Sequence, residues 1–302
     1  MIKILDKEVD LWISHTWYNH DITNTSEHGI CGHTFEIIEY YYIFKSKCVT
    51  KILWPESLTW EDLEIAIRSK YSFDDDEIED IKINSEFIES PRLLKGSNIL
   101  LVDGEWERLR HSTILFDNIF MFACGQKDLY KINKQNVTIL QDDRIYKKGP
   151  FTINYVKKIL FDKFKKIENV DDRMFAYLPI NCRTLNDEDT TKLIKKYKNI
   201  LIGTSHPEIY NKYDVDILKM PINNLHEKFN TLIYTPLELK WDCSNRLIPE
   251  CLFYKKNVEM HLPDDYLEYD TALKYRLIDC KDIENIKLTS SDQIFNIILD
   301  KI

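Results

Sequence analysis

Short β-prone runs alternate with amphipathic stretches along this chain, and that alternation constrains its fold more than any other feature. Two strands joined through a helix must run parallel, and the helices cover the sheet faces. In the first half the strand-like runs are Leu11–Ser14, 48–54, 98–103, 119–123 and Val137–Gln141. Thr59 stands before Trp60-Glu61-Asp62, and Leu63, Ala66 and Ile67 share one face, which predicts a capped helix with acids in its first turn. A longer helix is expected through Val156, Ile159, Leu160 and Phe164. Residues 72–90 are acidic and weakly patterned, and they read as a surface excursion with a short strand at 81–83.

The pattern repeats from Arg173 onward. Strands are expected at 174–180, 199–203, 217–220, 231–234 and 258–261. Asn186 followed by Asp187-Glu188-Asp189 predicts a capped helix bearing Leu193, Ile194 and Tyr197. Further helices are expected at 244–254 and from Ser290 or Ser291, the last with Ile294, Phe295, Ile298 and Leu299 on one face. The expected fold class is α/β with two lobes: 1–152, a connecting helix or linker at 153–172, 173–289, and a C-terminal helix at 290–302.

Composition removes several function classes. No apolar run approaches the ~20 residues that span a bilayer, and the first six residues lack the apolar core of a signal peptide. Cys31, Cys48, Cys124, Cys182, Cys243, Cys251 and Cys280 are scattered and odd in number, with no Cys-x-x-Cys, so they are expected to be reduced and the protein cytoplasmic. No zinc spacing occurs, and no metal is expected. A net charge of -9 disfavours a protein whose main task is gripping a phosphate backbone. Lys147, Lys148, Lys157, Lys158, Lys163, Lys165 and Lys166 form either a local basic face or a solvated helix. Seven glycines without Gly-x-Gly-x-x-Gly or a P-loop argue against a dehydrogenase or P-loop enzyme, and no Gly-x-Ser-x-Gly elbow occurs. Asp214-Val215-Asp216 has a metal-binding spacing, but it reads as a turn before a strand.

Two segments carry chemistry. In Glu27-His28-Gly29-Ile30-Cys31-Gly32-His33-Thr34-Phe35-Glu36, glycines precede a helix bearing Phe35, Ile38 and Tyr42. Free N–H groups at such a helix start favour an anion by ~0.3–1 kcal/mol. His33 and Glu36 stand where a general base or acceptor-binding group would be placed; a plain helix cap with structural glycines gives the same pattern. The second segment runs from Tyr234-Thr235-Pro236 through Trp241-Asp242-Cys243-Ser244-Asn245-Arg246 to Glu250. Phosphates suit the helix start there, and Glu250 follows Arg246 by one turn, where a carboxylate could accept ribose hydroxyls. An exposed Arg–Glu pair at that spacing, worth ~0.3–0.5 kcal/mol, is the alternative.

The segment from Tyr234 to Pro236, with Asp242-Cys243-Ser244-Asn245-Arg246-Leu247-Ile248-Pro249-Glu250 and its continuation through Tyr254, resembles the donor-binding segment of GT-B glycosyltransferases, most of all a group found in bacteriophage genomes. The start at Gly32-His33-Thr34-Phe35-Glu36 resembles that group's N-terminal loop, and Leu140-Gln141-Asp142-Asp143-Arg144-Ile145-Tyr146, with the run from Tyr155 to Phe161, is similar to it too. The resemblance implies two Rossmann-like lobes, 1–152 on the acceptor side and 173–289 binding the nucleotide-sugar, with the C-terminal helix crossing back. It implies that Glu250 holds the donor ribose and that Ser244, Asn245 and Arg246 contact the diphosphate, with Arg183 adding charge. Gly32, Thr204, Ser205, His206 and Tyr234 would also line the donor site, and Gly203 would lie beside it. Asp242 stands where retaining members carry a second Glu, so retention or inversion stays open. For an inverting reaction the base candidates are His33 and Glu36, then Asp103 and Asp142.

The implied activity is transfer of a sugar from a UDP- or other nucleotide-sugar to an acceptor hydroxyl, without a permanently bound cofactor. Cationic side chains and helix ends would take the leaving-group charge. The acceptor could be a hydroxylated base in phage DNA, flipped out of the duplex and approached by Lys157 and Lys158. Alternatives are an envelope glycan, or a catalytically inactive module that only binds the donor.

Overall fold

The computed structural model of the chain describes residues 3–14, 30, 32–88, 94–104, 115–123, 136–141, 152–154, 159–178, 185–220, 222–235, 246–261 and 292–302. The chain divides into two units, one of residues 1–68, 72–160 and 287–302, the other of 69–71 and 161–286.

The first unit is built on an eight-stranded parallel sheet. Its strands are β1 (Lys3–Ile4), β2 (Leu11–Ser14), β3 (Thr50–Pro55), β4 (Ser85–Ile88), β5 (Leu94–Gly104), β6 (Leu115–Ala123), β7 (Val137–Gln141) and β8 (Thr152–Asn154). The order is β4-β3-β2-β5-β6-β7-β8, with β1 pairing beside β5. From β2 the chain steps outward to β3 and β4, then returns to lay β5 on the other side of β2. The order therefore reverses between β2 and β5, paired from Trp12↔Ile99 to Ser14↔Leu101. Alternation sorts the side chains. Trp12, Leu53, Ile99, Leu101, Ile119 and Met121 fill one core. Helix α1 (Gly32–Phe44) packs with the other face, Tyr40 lying 4.8 Å from Phe122. The helix at Asp292–Leu299 belongs to this unit, and its Phe295 meets Phe44 edge-on at 5.1 Å.

The second unit carries a five-stranded parallel sheet: β9 (Met174–Tyr177), β10 (Ile200–Thr204), β11 (Asp216–Lys219), β12 (Thr231–Tyr234) and β13 (Asn257–Met260). Its order is β11-β10-β9-β12-β13, so it reverses between β9 and β12. Both faces are covered, as a parallel sheet requires. Ala176, Ile200, Ile202 and Ile233 pack with Leu193 of the helix at Asp187–Lys196. Phe175, Leu201, Leu232 and Tyr234 pack with Ile248 and Cys251 of the helix at Leu247–Phe253.

Capping chemistry places several helices where the sequence predicts them. Thr59 Oγ1 accepts from Asp62 N at 3.2 Å ahead of α2 (Trp60–Lys70), and Asn186 Oδ1 accepts from Asp189 N at 2.9 Å. Three expectations are corrected. Residues 75–83 are helix α3 (Asp75–Ile83) rather than a surface excursion with a strand; Asp74 and Glu77 form a reciprocal capping box, and the strand starts later, at Ser85. The acidic first turn obscured the buried positions Ile78 and Ile81. Residues 159–164 do not continue a helix: Phe161–Lys163 is one 3₁₀ turn, and Phe164 bridges Tyr71. Ile159 and Leu160 are buried in the first unit and Phe164 in the second, while Val156 lies outside the described residues. Lys163, Lys165 and Lys166 accordingly do not lie on a solvated α-helix.

The third correction concerns the helix expected from 244. Arg246 is its N-cap, and the first intrahelical bond runs from Glu250 N to Arg246 O at 3.1 Å. Pro249 sets this start. A proline has no N–H to give, so it fits the first turn, where none is needed, and would break the ladder of a helix begun at Ser244. In α1, Glu36 and Glu39 are buried with Ile37, Ile38, Tyr40 and Tyr41, while Phe35 and Tyr42 are half-buried.

Candidate functional site

In an open parallel sheet, ligands gather beyond the carboxyl ends of the strands, where the strand order reverses. In the first unit that point is at the ends of β2 and β5. Among the described residues, α1 is the next helix after β2, and Gly32, His33 and Glu36 stand at its start. Gly32 is exposed. His33 Nδ1 lies 3.1 Å from Glu36 Oε2, and the ring keeps 29% of its surface while the carboxylate keeps 1%. Glu39, one turn further, accepts from Leu160 N at 3.4 Å. Asp103 lies in β5, with its side chain outside the described residues, as are Asp142, Lys157 and Lys158.

In the second unit the reversal lies between β9 and β12. Thr204 ends β10, is buried, and its Oγ1 accepts from His206 N at 3.2 Å. His206 Nδ1 in turn meets Glu208 Oε1 at 3.1 Å, and Ser205 lies between Thr204 and His206. Tyr234 ends β12 and is part of the apolar core. Gly203 has a packing reason: a Cβ there would fall 2.5 Å from the Phe175 ring. Arg183, Asp242, Ser244 and Asn245 lie outside the described residues. Asp216 has its own partner, Arg173 Nη2 at 2.6 Å.

Glu250 meets three basic side chains. Its Oε1 accepts from Lys70 Nζ at 2.5 Å and from Arg246 Nε at 2.9 Å, and its Oε2 lies 3.0 Å from His226 Nε2. The expected Arg246–Glu250 pair forms, but it is buried rather than solvated. Burial alone would raise the Glu250 carboxyl; the Lys70 and Arg246 charges and the His226 bond outweigh it and hold the group well below the usual carboxylate range. Burial lowers His226, against the pull of Glu250, so the ring is held toward its neutral form. Burial, reinforced by the Glu250 charge, raises the Tyr254 phenol and the Cys251 thiol. Two cations therefore face one carboxylate in a largely desolvated cluster. Aromatic rings wall it: His226 lies 4.8 Å from Tyr254, and Lys70 Nζ lies 5.3 Å from the Phe164 centroid.

Sequence reasoning missed Lys70 and His226. They stand 180 and 24 residues from Glu250, beyond the reach of helical spacing. Lys70 is the last residue of α2, and His226 sits on a 3₁₀ turn, Leu225–Glu227, with no sequence pattern. Among the described residues, no group of three or more His, Cys, Asp or Glu is placed to hold a metal ion, and no helix is long and apolar enough to cross a membrane.

No protein-family model matches the chain, and no curated protein matches it. Among solved structures, the wall teichoic acid polymerase TagF is similar at 10% identity over 96% of this chain and 82% of that one, with a TM-score of 0.37. A likeness of that size decides neither fold nor function.

Proposed function

We propose that this chain is a glycosyltransferase of the GT-B kind, taking a sugar from a nucleotide-sugar and passing it to an acceptor hydroxyl. The observation that carries the reading is the placement of the donor candidates. Thr204, Ser205 and His206 follow the carboxyl end of β10, Tyr234 ends β12, and Arg246 opens the helix after it, around the reversal of a doubly covered parallel sheet. Arg183 follows β9 in the chain, and Asp242, Ser244 and Asn245 precede Arg246. The similarity of the 234–254 segment to GT-B donor segments supports the same assignment.

On this reading the second unit binds the donor and the first unit the acceptor. Arg246 stabilises the charge that develops on the leaving diphosphate. Glu250 binds the ribose differently from a free carboxylate. A carboxylate offers about four acceptor positions, and Lys70, Arg246 and His226 occupy three. A ribose hydroxyl would take the remaining position or displace Lys70 or His226.

The test is mass spectrometry of a panel of nucleotide-sugars incubated with hydroxymethylated duplex DNA, unmodified DNA or envelope glycans. A hexose or pentose mass gained by one acceptor, with release of the nucleoside diphosphate, supports transfer and names the acceptor. Donor binding by calorimetry without turnover on any acceptor selects the inactive binding module. Absence of both binding and turnover rejects the glycosyltransferase reading.

A further inference from the structure

The His226 ring is hydrogen-bonded on one side only. Its Nε2 lies 3.0 Å from Glu250 Oε2, while its Nδ1 is buried with no hydrogen-bond partner among the described residues. Charged and titratable groups face it from several elements. The helix at Leu247–Phe253 supplies Glu250, and Tyr254, its C-cap, lies 4.8 Å away, ring to ring. Lys70 ends α2 and puts its Nζ 2.5 Å from Glu250 Oε1, with Arg246 Nε at 2.9 Å from the same oxygen. Lys256, just before β13, is buried, donates to Phe229 O, and its charge also opposes a proton on the ring. The turn that bears His226 carries Glu227 and is followed by Lys228. Glu250 therefore already answers two cations before the imidazole gains a proton. Whichever nitrogen holds the hydrogen of the neutral ring, the added proton makes Nδ1 an N–H without an acceptor and sets a third cation on one carboxylate. A stranded buried donor and an outnumbered counter-ion both favour the neutral ring.

We infer that His226 is a proton-sensitive latch: as the neutral ring it holds the turn at Leu225–Glu227 against the helix at Leu247–Phe253, and protonation releases that turn. The released ring reaches water, where its charge and both N–H groups are solvated. Beside the Glu250 contact, the turn is tied outward by Glu227 O, which accepts from Asp171 N at 2.8 Å. The bonds of Glu227 N to Asn224 O and of Lys228 N to Leu225 O, each 3.0 Å, stay within it. The sign follows from burial. The folded pKa of His226 lies below its unfolded value of ~6.5, so the latch is fully closed above that value and loosens as pH falls from there toward the folded one. That window is separate from the one of Glu250, whose stabilisation fades below ~4.3. The latch does not depend on whether the chain transfers a sugar.

Two measurements on the full chain test the latch. The first follows the His226 ring by NMR through a pH titration of wild type, with the ring assigned through its backbone. The ring is expected to titrate below ~6.5, and titration at or above that value overturns the latch. The second is amide hydrogen exchange of Asp171, Glu227 and Lys228 at about pH 7.5 and about pH 5.5, each rate corrected for intrinsic exchange. One-proton linkage bounds the effect at about tenfold per pH unit, so protection of these amides in wild type is expected to fall about three- to tenfold on acidification. Amides of β10 are expected to change less than about twofold over the same step. His226→Gln still offers an N–H to Glu250 and does not titrate, so its three amides are expected to change less than about twofold as well. Equal losses in wild type and His226→Gln, or no loss in wild type, overturn the latch. A loss at β10 as large as that at the turn overturns release of the turn in favour of opening of the whole unit. Should His226→Gln not fold, the wild-type titration and the comparison with β10 decide by themselves.

Discussion

Two buried carboxylates, one in each unit, sit in opposite kinds of surroundings. Glu250 is enclosed by Lys70, Arg246 and His226, all of low exposure. Glu36 is equally buried but meets a ring that still reaches solvent. The difference teaches what burial alone does not say about a carboxylate. Where the partners are themselves buried cations, removing the acid strands charge in a desolvated place, so the acid contributes to stability. Where the partner is a half-exposed ring, removing the acid strands no buried cation in this contact, and the loss to folding is expected to be smaller.

The largest expected effect breaks the comparison at Glu250. Glu250→Gln leaves the Lys70 and Arg246 charges without their counter-ion and is expected to cost ~3–5 kcal/mol, read as a lower urea midpoint for the second unit. A midpoint within error of wild type would mean that the cluster is wet and the contrast false. Acid should reproduce part of this loss. The folded-state pKa of Glu250 lies below its unfolded value, so its stabilisation is complete above the unfolded value of ~4.3 and fades as pH falls through the folded one. Below about pH 4 the wild-type midpoint should therefore fall more steeply than that of Glu250→Gln; parallel curves would assign the acid loss to other groups.

Smaller effects sharpen the contrast. Gly203→Ala drives a Cβ toward the Phe175 ring, 2.5 Å away, and is expected to cost ~1–3 kcal/mol in the second unit without altering the acid response assigned to Glu250. Asp74→Ala removes the capping box of α3 and should cost about 1 kcal/mol, a scale for ordinary polar contacts in the first unit. Glu36→Gln keeps an acceptor for His33 and strands no buried cation in this contact, so its cost in the same denaturation series should stay below ~1 kcal/mol. A cost as large as that of Glu250→Gln would show that both carboxylates do the same structural work.

Much of the fold was legible because its signals are local. Val137–Gln141 and Leu11–Ser14 are found at their expected bounds, and the Thr59 and Asn186 caps make the bonds expected of them. Local signals failed where two of them competed. Asp74-Asp75-Asp76-Glu77 suggested a polar excursion, although Asp74 and Glu77 also spell a capping box. At 244–254 the apolar pattern was read without the proline that fixes the helix start at Arg246. Of the site, the sequence marked His33, Glu36, Arg246 and Glu250 as the side chains to watch. It also placed each acid within one helical turn of its basic neighbour.

The sequence by itself determined the alternation of strands and helices, and with it the α/β class, because period and capping are properties of a few consecutive residues. It determined equally that His33 could reach Glu36 and that Arg246 could reach Glu250. Only the tertiary structure decided what those pairs became. Folding brought Lys70, 180 residues away, and His226 onto Glu250, leaving Lys70 and His226 little exposed beside the buried Arg246 and Glu250. Long-range partners depend on how elements pack, and the spacing that marked the buried face of α2 says nothing of a partner 180 residues away.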